Sequence, residues 1–212
     1  MTRKARRRML QAMAATVAGG VSGLIQQVLA AGNVPVKPGM QRIQGKVTVN
    51  GQAAKEGMLL RAGDTVETGP GSEAIYVIGE DAYLQRADTR VNFGATAADF
   101  MRVVTGKLLS VFGKGQRRVQ IPFATIGIRG TGCYIESDVR RSYFCLCYGE
   151  VVLDPVNGRA ITYKTQHHDT PYWIEDGVVS NAPVINHTDD ELLLLEQLVG
   201  RWPPFYGYKN KY

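Results

Sequence analysis

Three Cys and three His in 212 residues leave this sequence poor in reactive side chains, and no acidic residue precedes Glu56. The three Cys, all between Cys133 and Cys147, are too few for a disulfide scaffold and leave at least one unpaired within the chain. Glycine-rich phosphate loops, Walker patterns and dinucleotide fingerprints are missing, which removes the nucleotide-binding classes they serve. Arg117-Arg118, Arg129 and Arg140-Arg141 are mixed with acids and lack interleaved aromatics for base stacking, so nucleic acid is not an expected partner. No Ser or Cys nucleophile with a local motif accompanies His167-His168-Asp169, so catalysis is not expected, and surface polarity is the plain reading of that loop pair. A hydrophobic fraction of 44% is enough for one real core, which excludes disorder as the whole story.

The net charge of +6 is unevenly placed. Arg3, Lys4, Arg6, Arg7 and Arg8 precede an uncharged 23-residue stretch from Met9 to Ala31, which closes on small residues that suit a peptidase. Arg6-Arg7-Arg8-Met9-Leu10-Gln11 resembles the twin-arginine export pattern, with Met and Gln as substitutions. Gly19, Gly20, Gly23, Gln26 and Gln27 interrupt the apolar run and argue against a stable membrane span. The expectation is an export signal over residues 1–30, cleaved after Ala30, then a linker over 31–40. The mature protein would reside in the periplasm or be secreted.

From Ile43 onward the chain reads as short strands punctuated by glycine. Runs such as Ala74–Ile78, Thr89–Phe93, Leu108–Phe112, Ala124–Ile128 and Tyr143–Val152 are β-branched or aromatic and end at turn residues. Gly45, Gly51, Gly57, Gly63 and Gly69 recur every six residues, yet no constant aliphatic position accompanies them, so the period marks turns. One helix is expected, over 189–199. Thr188-Asp189-Asp190-Glu191 forms a capping box ahead of an apolar stripe containing Leu192, Leu195 and Leu198, and Gly200 stops it. Trp202 to Tyr208 follows as an extended aromatic tail, read as covering the domain's own edge.

Residues 41–154 carry a family resemblance. Gly57, Leu60, Gly63-Asp64, Val66, Thr68-Gly69 and Ser72 keep the spacing that opens a FecR domain. Ile121-Pro122-Phe123-Ala124-Thr125 leading to Gly127-Ile128-Arg129-Gly130-Thr131, and later Tyr148-Gly149-Glu150-Val151-Val152, resemble that family's second half. The resemblance implies a small all-β, solenoid-like or roll-like extracytoplasmic domain, over 41–165 here, with the C-terminal helix packed on it. Residues 166–212 are then an extension of loop, helix and tail. In iron-uptake signalling such domains belong to membrane regulators that couple an outer-membrane receptor to a cytoplasmic sigma factor. Eight residues before the apolar segment leave no room for a sigma-binding region, so fold and compartment carry over and the signalling role does not.

The chemically loaded residues lie where the pattern is least followed. Cys145 and Cys147, two apart on an expected strand, share a face, where a disulfide between them would be strained. Thiolate plus imidazole suits zinc, copper or iron-sulfur ligation, and His167, His168 and His187 are placed to complete such a shell. If the family register holds, Cys133 points to the core with Ile135, Phe144 and Leu146, away from Cys145 and Cys147. A changed turn near Asp138 would instead bring Cys133 opposite Cys145 or Cys147 for a cross-strand disulfide. Two readings therefore stand: a non-enzymatic binding, scaffolding or sensory module of the bacterial envelope with a protein or glycan partner, and a metal- or redox-active periplasmic protein built on Cys145, Cys147 and the histidines.

Removing residues 1–30 takes away five basic and no acidic side chains, so +6 becomes +1. The mature protein is accordingly expected to elute from heparin at low salt, and tight, salt-sensitive binding to DNA or heparin would contradict this.

Overall fold

The computed structural model describes residues 34–94 and 100–207. The expected export signal over 1–30 and the end of the tail, including Tyr208, lie outside the described residues. The described chain forms one open, branched sheet of 14 strands and one helix. In chain order the strands are β1 (Gly39–Gln44), β2 (Val47–Val49), β3 (Gln52–Ala53), β4 (Thr65–Thr68), β5 (Glu73–Ile78), β6 (Asp81–Gln85), β7 (Thr89–Phe93), β8 (Phe100–Val111), β9 (Gln116–Ile121), β10 (Ala124–Ser137), β11 (Ser142–Pro155), β12 (Ile161–Thr165), β13 (Tyr172–Glu175) and β14 (Val178–Asn181), followed by α1 (Asp189–Leu198).

The main path runs β14-β13-β11-β10-β9-β8-β7-β4-β2-β3. Around it, β12 pairs with β11, β6 with β8, and β5 with β1 and β6. Every described pairing is antiparallel except β8 with β9. The six-residue glycine period accordingly marks turns and loops rather than parallel coils. Gly45 joins β1 to β2, Gly51 joins β2 to β3, and Gly57 and Gly63 lie in the loop from β3 to β4.

Three strands are longer than the sequence runs, because each bends through a glycine and continues with new partners. The first part of β8 pairs with β7 and β9, while the part after Gly106 pairs with β6 and β10. In β10, residues 124–129 pair with β9, and the strand then irregularly passes Gly130 so that residues 132–137 pair with β8. On β11, residues 142–144 carry β13 and residues 149–153 carry β12. Gly106 (φ +94°), Gly130 (φ +57°) and Gly149 (φ +105°) adopt backbone conformations that disfavour a side chain. The Gly-Ile-Arg-Gly-Thr run thus occupies a bend.

Alternation along these bent strands feeds two apolar cores. Cys133, Ile135, Phe144 and Leu146 belong to the first, with Tyr76, Phe93, Val103 and Ile126. Tyr134, Tyr143, Cys145 and Cys147 belong to the second, with Ile75, Leu84 and Leu109 and with Leu192, Leu194, Leu195 and Leu198 of α1. Each large apolar side chain buried in this way is worth roughly 1.5–3 kcal/mol.

The capping box at Thr188 forms as the sequence predicts: Glu191 N–H donates to the Thr188 hydroxyl, and Thr188 N–H donates to the Glu191 carboxylate. The helix ends at Leu198, one residue short of the expected boundary, and Gly200 follows at φ +74°. The extension after residue 165 contains β13 and β14, which the sequence reading left as loop. Both are four residues long, too short to show a clear period, and β13 joins the existing sheet through β11. Within the tail, Phe205 is buried while Trp202 and Tyr206 stay 44% and 58% exposed with rings 4.2 Å apart, so only part of it covers the domain.

A Cβ on Gly106 would stand 2.4 Å from Thr89 Cα, with backbone already at positive φ. Gly106→Ala is therefore expected to cost about 3 kcal/mol or more, read as a lower urea midpoint, and an unchanged midpoint would refute the bend as a constraint. Thr188→Ala is expected to cost about 1 kcal/mol in the same assay through loss of the cap.

Candidate metal centre

Period-two alternation sets the first half of the site. Tyr134 pairs with Cys145 and Cys133 with Leu146, so Cys145 and Cys147 emerge on the face toward α1 while Cys133 enters the other core. The cross-strand disulfide would need a one-residue slip that moved every core side chain to the wrong face, and all three thiols are free in this structure. Burial pushes the Cys133 thiol well above its usual range, which makes it an inert core residue.

Two excursions of the chain supply the second half. After β12, a turn is held by Asp169, which accepts from the Thr165 hydroxyl at 2.5 Å and from Gln166 N–H at 3.1 Å. Those bonds, the Thr165 bond foremost, hold the Asp169 carboxyl below its ordinary value. The turn puts His168 at φ +53°, where its backbone N–H donates to the Cys147 carbonyl at 2.9 Å and its ring lies over the two thiols. The loop after β14 brings in His187, which follows Asn186 at φ +55° and immediately precedes the N-cap of α1. The His187 ring stacks on Tyr134 with centroids 4.6 Å apart.

Cys145 Sγ, Cys147 Sγ and one ring nitrogen from each of His168 and His187 all lie within 4.8 Å of one another, and all four residues are buried. His168 Nδ1 is 3.5 Å from Cys145 Sγ and 3.1 Å from His187 Nε2. The outer nitrogens have acceptors as partners. His187 Nδ1 is 2.6 Å from the Ile185 carbonyl oxygen, and His168 Nε2 is 3.1 Å from Asp189 Oδ1. A carbonyl and a carboxylate only accept, so both outer nitrogens carry hydrogen and, in neutral rings, both inner nitrogens present lone pairs. Two lone pairs facing each other at 3.1 Å beside two thiols repel unless a proton or cation sits among them.

The protonation equilibria point the same way. The neighbouring Cys147 thiol, then His168 and His187, hold the Cys145 thiol well below its ordinary value against the effect of burial. Burial and the charge on Cys145 push Cys147 well above it. Burial pulls His168 down, but Cys145 and Asp189 together overrule it and raise its pKa. The pocket thus favours a thiolate with positive charge beside it. A divalent ion supplies more of that charge than a shared proton.

His167 stands outside this group of four. Its Nε2 lies 2.9 and 3.0 Å from the two oxygens of Asp189, and its ring meets Phe205 at 4.5 Å. Asp189 therefore bridges His167 and His168, a role hidden in the sequence because its place in the capping box already accounted for it. His168, 2% exposed, is not the surface residue that its loop position suggested.

No family model matches the chain, and no curated protein matches it. Among solved structures, the chain is similar to two crystal structures of a candidate anti-sigma factor from Parabacteroides distasonis ATCC 8503, at 1.65 and 2.50 Å resolution. The identities are 8% and 10% and the TM-scores 0.48 and 0.47, each over 56% of this chain. The chain spans somewhat more than half, 58%, of the length of those structures.

Proposed function

We propose that this chain is an exported, FecR-like β-module of the bacterial envelope, non-enzymatic, which binds one transition-metal ion through Cys145, Cys147, His168 and His187. The observation that carries the metal reading is the pair of outer hydrogen bonds, His187 to the Ile185 carbonyl and His168 to Asp189, which turn both inner nitrogens into acceptors toward two thiols. Bonds of about 2.0–2.3 Å to a single ion need donors within about 4.6 Å of each other. The grouping within 4.8 Å is near that limit and is more compact than the donors of an iron-sulfur cluster would be. Two sulfurs and two imidazoles favour Zn2+ in tetrahedral geometry.

Four protein donors leave no open coordination position, which supports a structural or sensory centre over a catalytic one. Tyr134 stacks on His187, Glu136 and Arg86 hold the neighbouring Asn186, and the Phe205 ring lies beside His168, and all four donor residues are buried, so solvent access to them is low. The export reading rests on the basic start and the uncharged run after it. The envelope-module reading rests on the spacing of Gly57 to Ser72 and on the Gly-Ile-Arg-Gly-Thr run.

Elemental analysis of the purified mature chain is expected to give one zinc per molecule, with Cys145 and Cys147 protected from alkylation. The double variant Cys145→Ser, Cys147→Ser should lose the metal, and metal-free wild type with unchanged thermal stability would overturn the reading. Asp189→Asn keeps the shape but weakens the acceptor for His168, so zinc affinity should fall about 10–100-fold while stoichiometry at saturating zinc stays at one. Unaltered affinity would remove Asp189 from the centre.

A further inference from the structure

One of the four donors comes from a part of the chain that the backbone ladder does not join to the other three. Cys145 and Cys147 belong to β11 in the middle of the sheet, whereas His187 opens the segment of helix and tail over residues 187–207. Asp189, in the first turn of α1, is the outer partner of His168, so one helix end contributes both a donor and the residue that orients another donor. From residue 187 to 207, among the described residues, one backbone hydrogen bond reaches the rest of the protein, from Val36 N–H to the Leu198 carbonyl at 2.9 Å. Side chains make the other links, among them His167 and His168 to Asp189 at 2.9 and 3.1 Å, Arg86 to Glu191 at 2.7 Å, the Tyr148 hydroxyl to Glu196, and Arg201 Nη1 to the Glu80 carbonyl at 2.7 Å.

The helix is also short. At ten residues α1 lies below the length at which an isolated helix holds together in water, so its structure depends on being docked. What it docks on is apolar: Leu84, Leu109, Tyr134 and Tyr143 are fully buried in the core that α1 completes. Strands β5, β6, β8 and β10 keep their ladders whether or not the helix is present, since their pairings lie within the sheet.

Resting on the reading that the four donors hold an ion, we infer that the metal is the fastening of the C-terminal segment 187–207, so that occupancy decides whether one face of the sheet is covered by its own chain. Loss of the ion removes the bonds that tie His187, at the base of the helix, to Cys145 and Cys147 of β11, and leaves the start of α1 held there by side-chain hydrogen bonds. The strands remain, and the face under α1 opens.

Hydrogen exchange on the full mature chain, zinc-loaded and after chelation, with metal content measured on the same samples, tests this. Amides of residues 187–207 are expected to exchange about tenfold faster or more without zinc while β5, β8 and β10 keep their protection. A one-zinc protein whose segment exchanges equally with and without zinc overturns the fastening but leaves the metal site standing, as does a protein whose strands all lose protection together. Failure to bind zinc at all overturns both. His187→Asn retains three donors and is expected to bind one zinc more weakly with the segment already in fast exchange. Normal protection of the segment in zinc-bound His187→Asn would refute the role given to His187.

Discussion

Tyr134 lies across from Cys145 and Cys133 across from Leu146, and this register of β10 on β11 governs nearly everything else in the molecule. Because side chains alternate, the register sends one thiol into the enclosed core and two toward the helix. It is maintained through bends at Gly130 and Gly149, where the two long strands change partners without losing each other. A side chain at Gly149 would collide with Thr131, so the bend is set by close backbone approach as much as by turn chemistry. Two cores on opposite faces of the same hairpin follow from that geometry, and the second is complete only with α1 in place.

The buried polar groups of the second core are organised around charge. Thiols and imidazoles removed from water are costly unless paired, and here each has a partner of opposite tendency. The Cys145 thiolate is favoured by its neighbours, His168 is raised by that thiolate and by Asp189, and Asp189 in turn takes bonds from two histidines near the N-terminal end of a helix dipole. Glu196, on the same helix, takes the Tyr148 hydroxyl and the Arg201 guanidinium. The helix therefore joins the rest of the protein through polar anchors around a leucine stripe, at Asp189 through the two histidines, at Glu191 through Arg86 and at Glu196 through Tyr148.

Much of this was legible in order along the chain. The all-β character, the cap at Thr188 and the face shared by Cys145 and Cys147 follow from local patterns of period two, period 3.6 and turn chemistry, whereas the inward path of Cys133 hung on the register of β10 against β11, which the sequence left open between two alternatives. β13 and β14 were not legible, since four-residue strands at a sheet edge carry too little periodicity. Nor was the separation of His167 from His168. They are neighbours in sequence, yet the positive φ at His168 turns its ring toward the thiols, while His167 meets Asp189 and Phe205 instead.

By itself the sequence determined which residue types were available for ligation, that Cys145 and Cys147 share one face of their strand, and where the only helix among the described residues began. Those are properties of nearest neighbours and of alternation, which act over a few residues. Tertiary structure decided that His168 and His187, 19 positions apart, meet Cys145 and Cys147 with their outer nitrogens already engaged. That depends on where two loops return across a bent sheet, and no local pattern encodes the distance between chain segments brought together by burial.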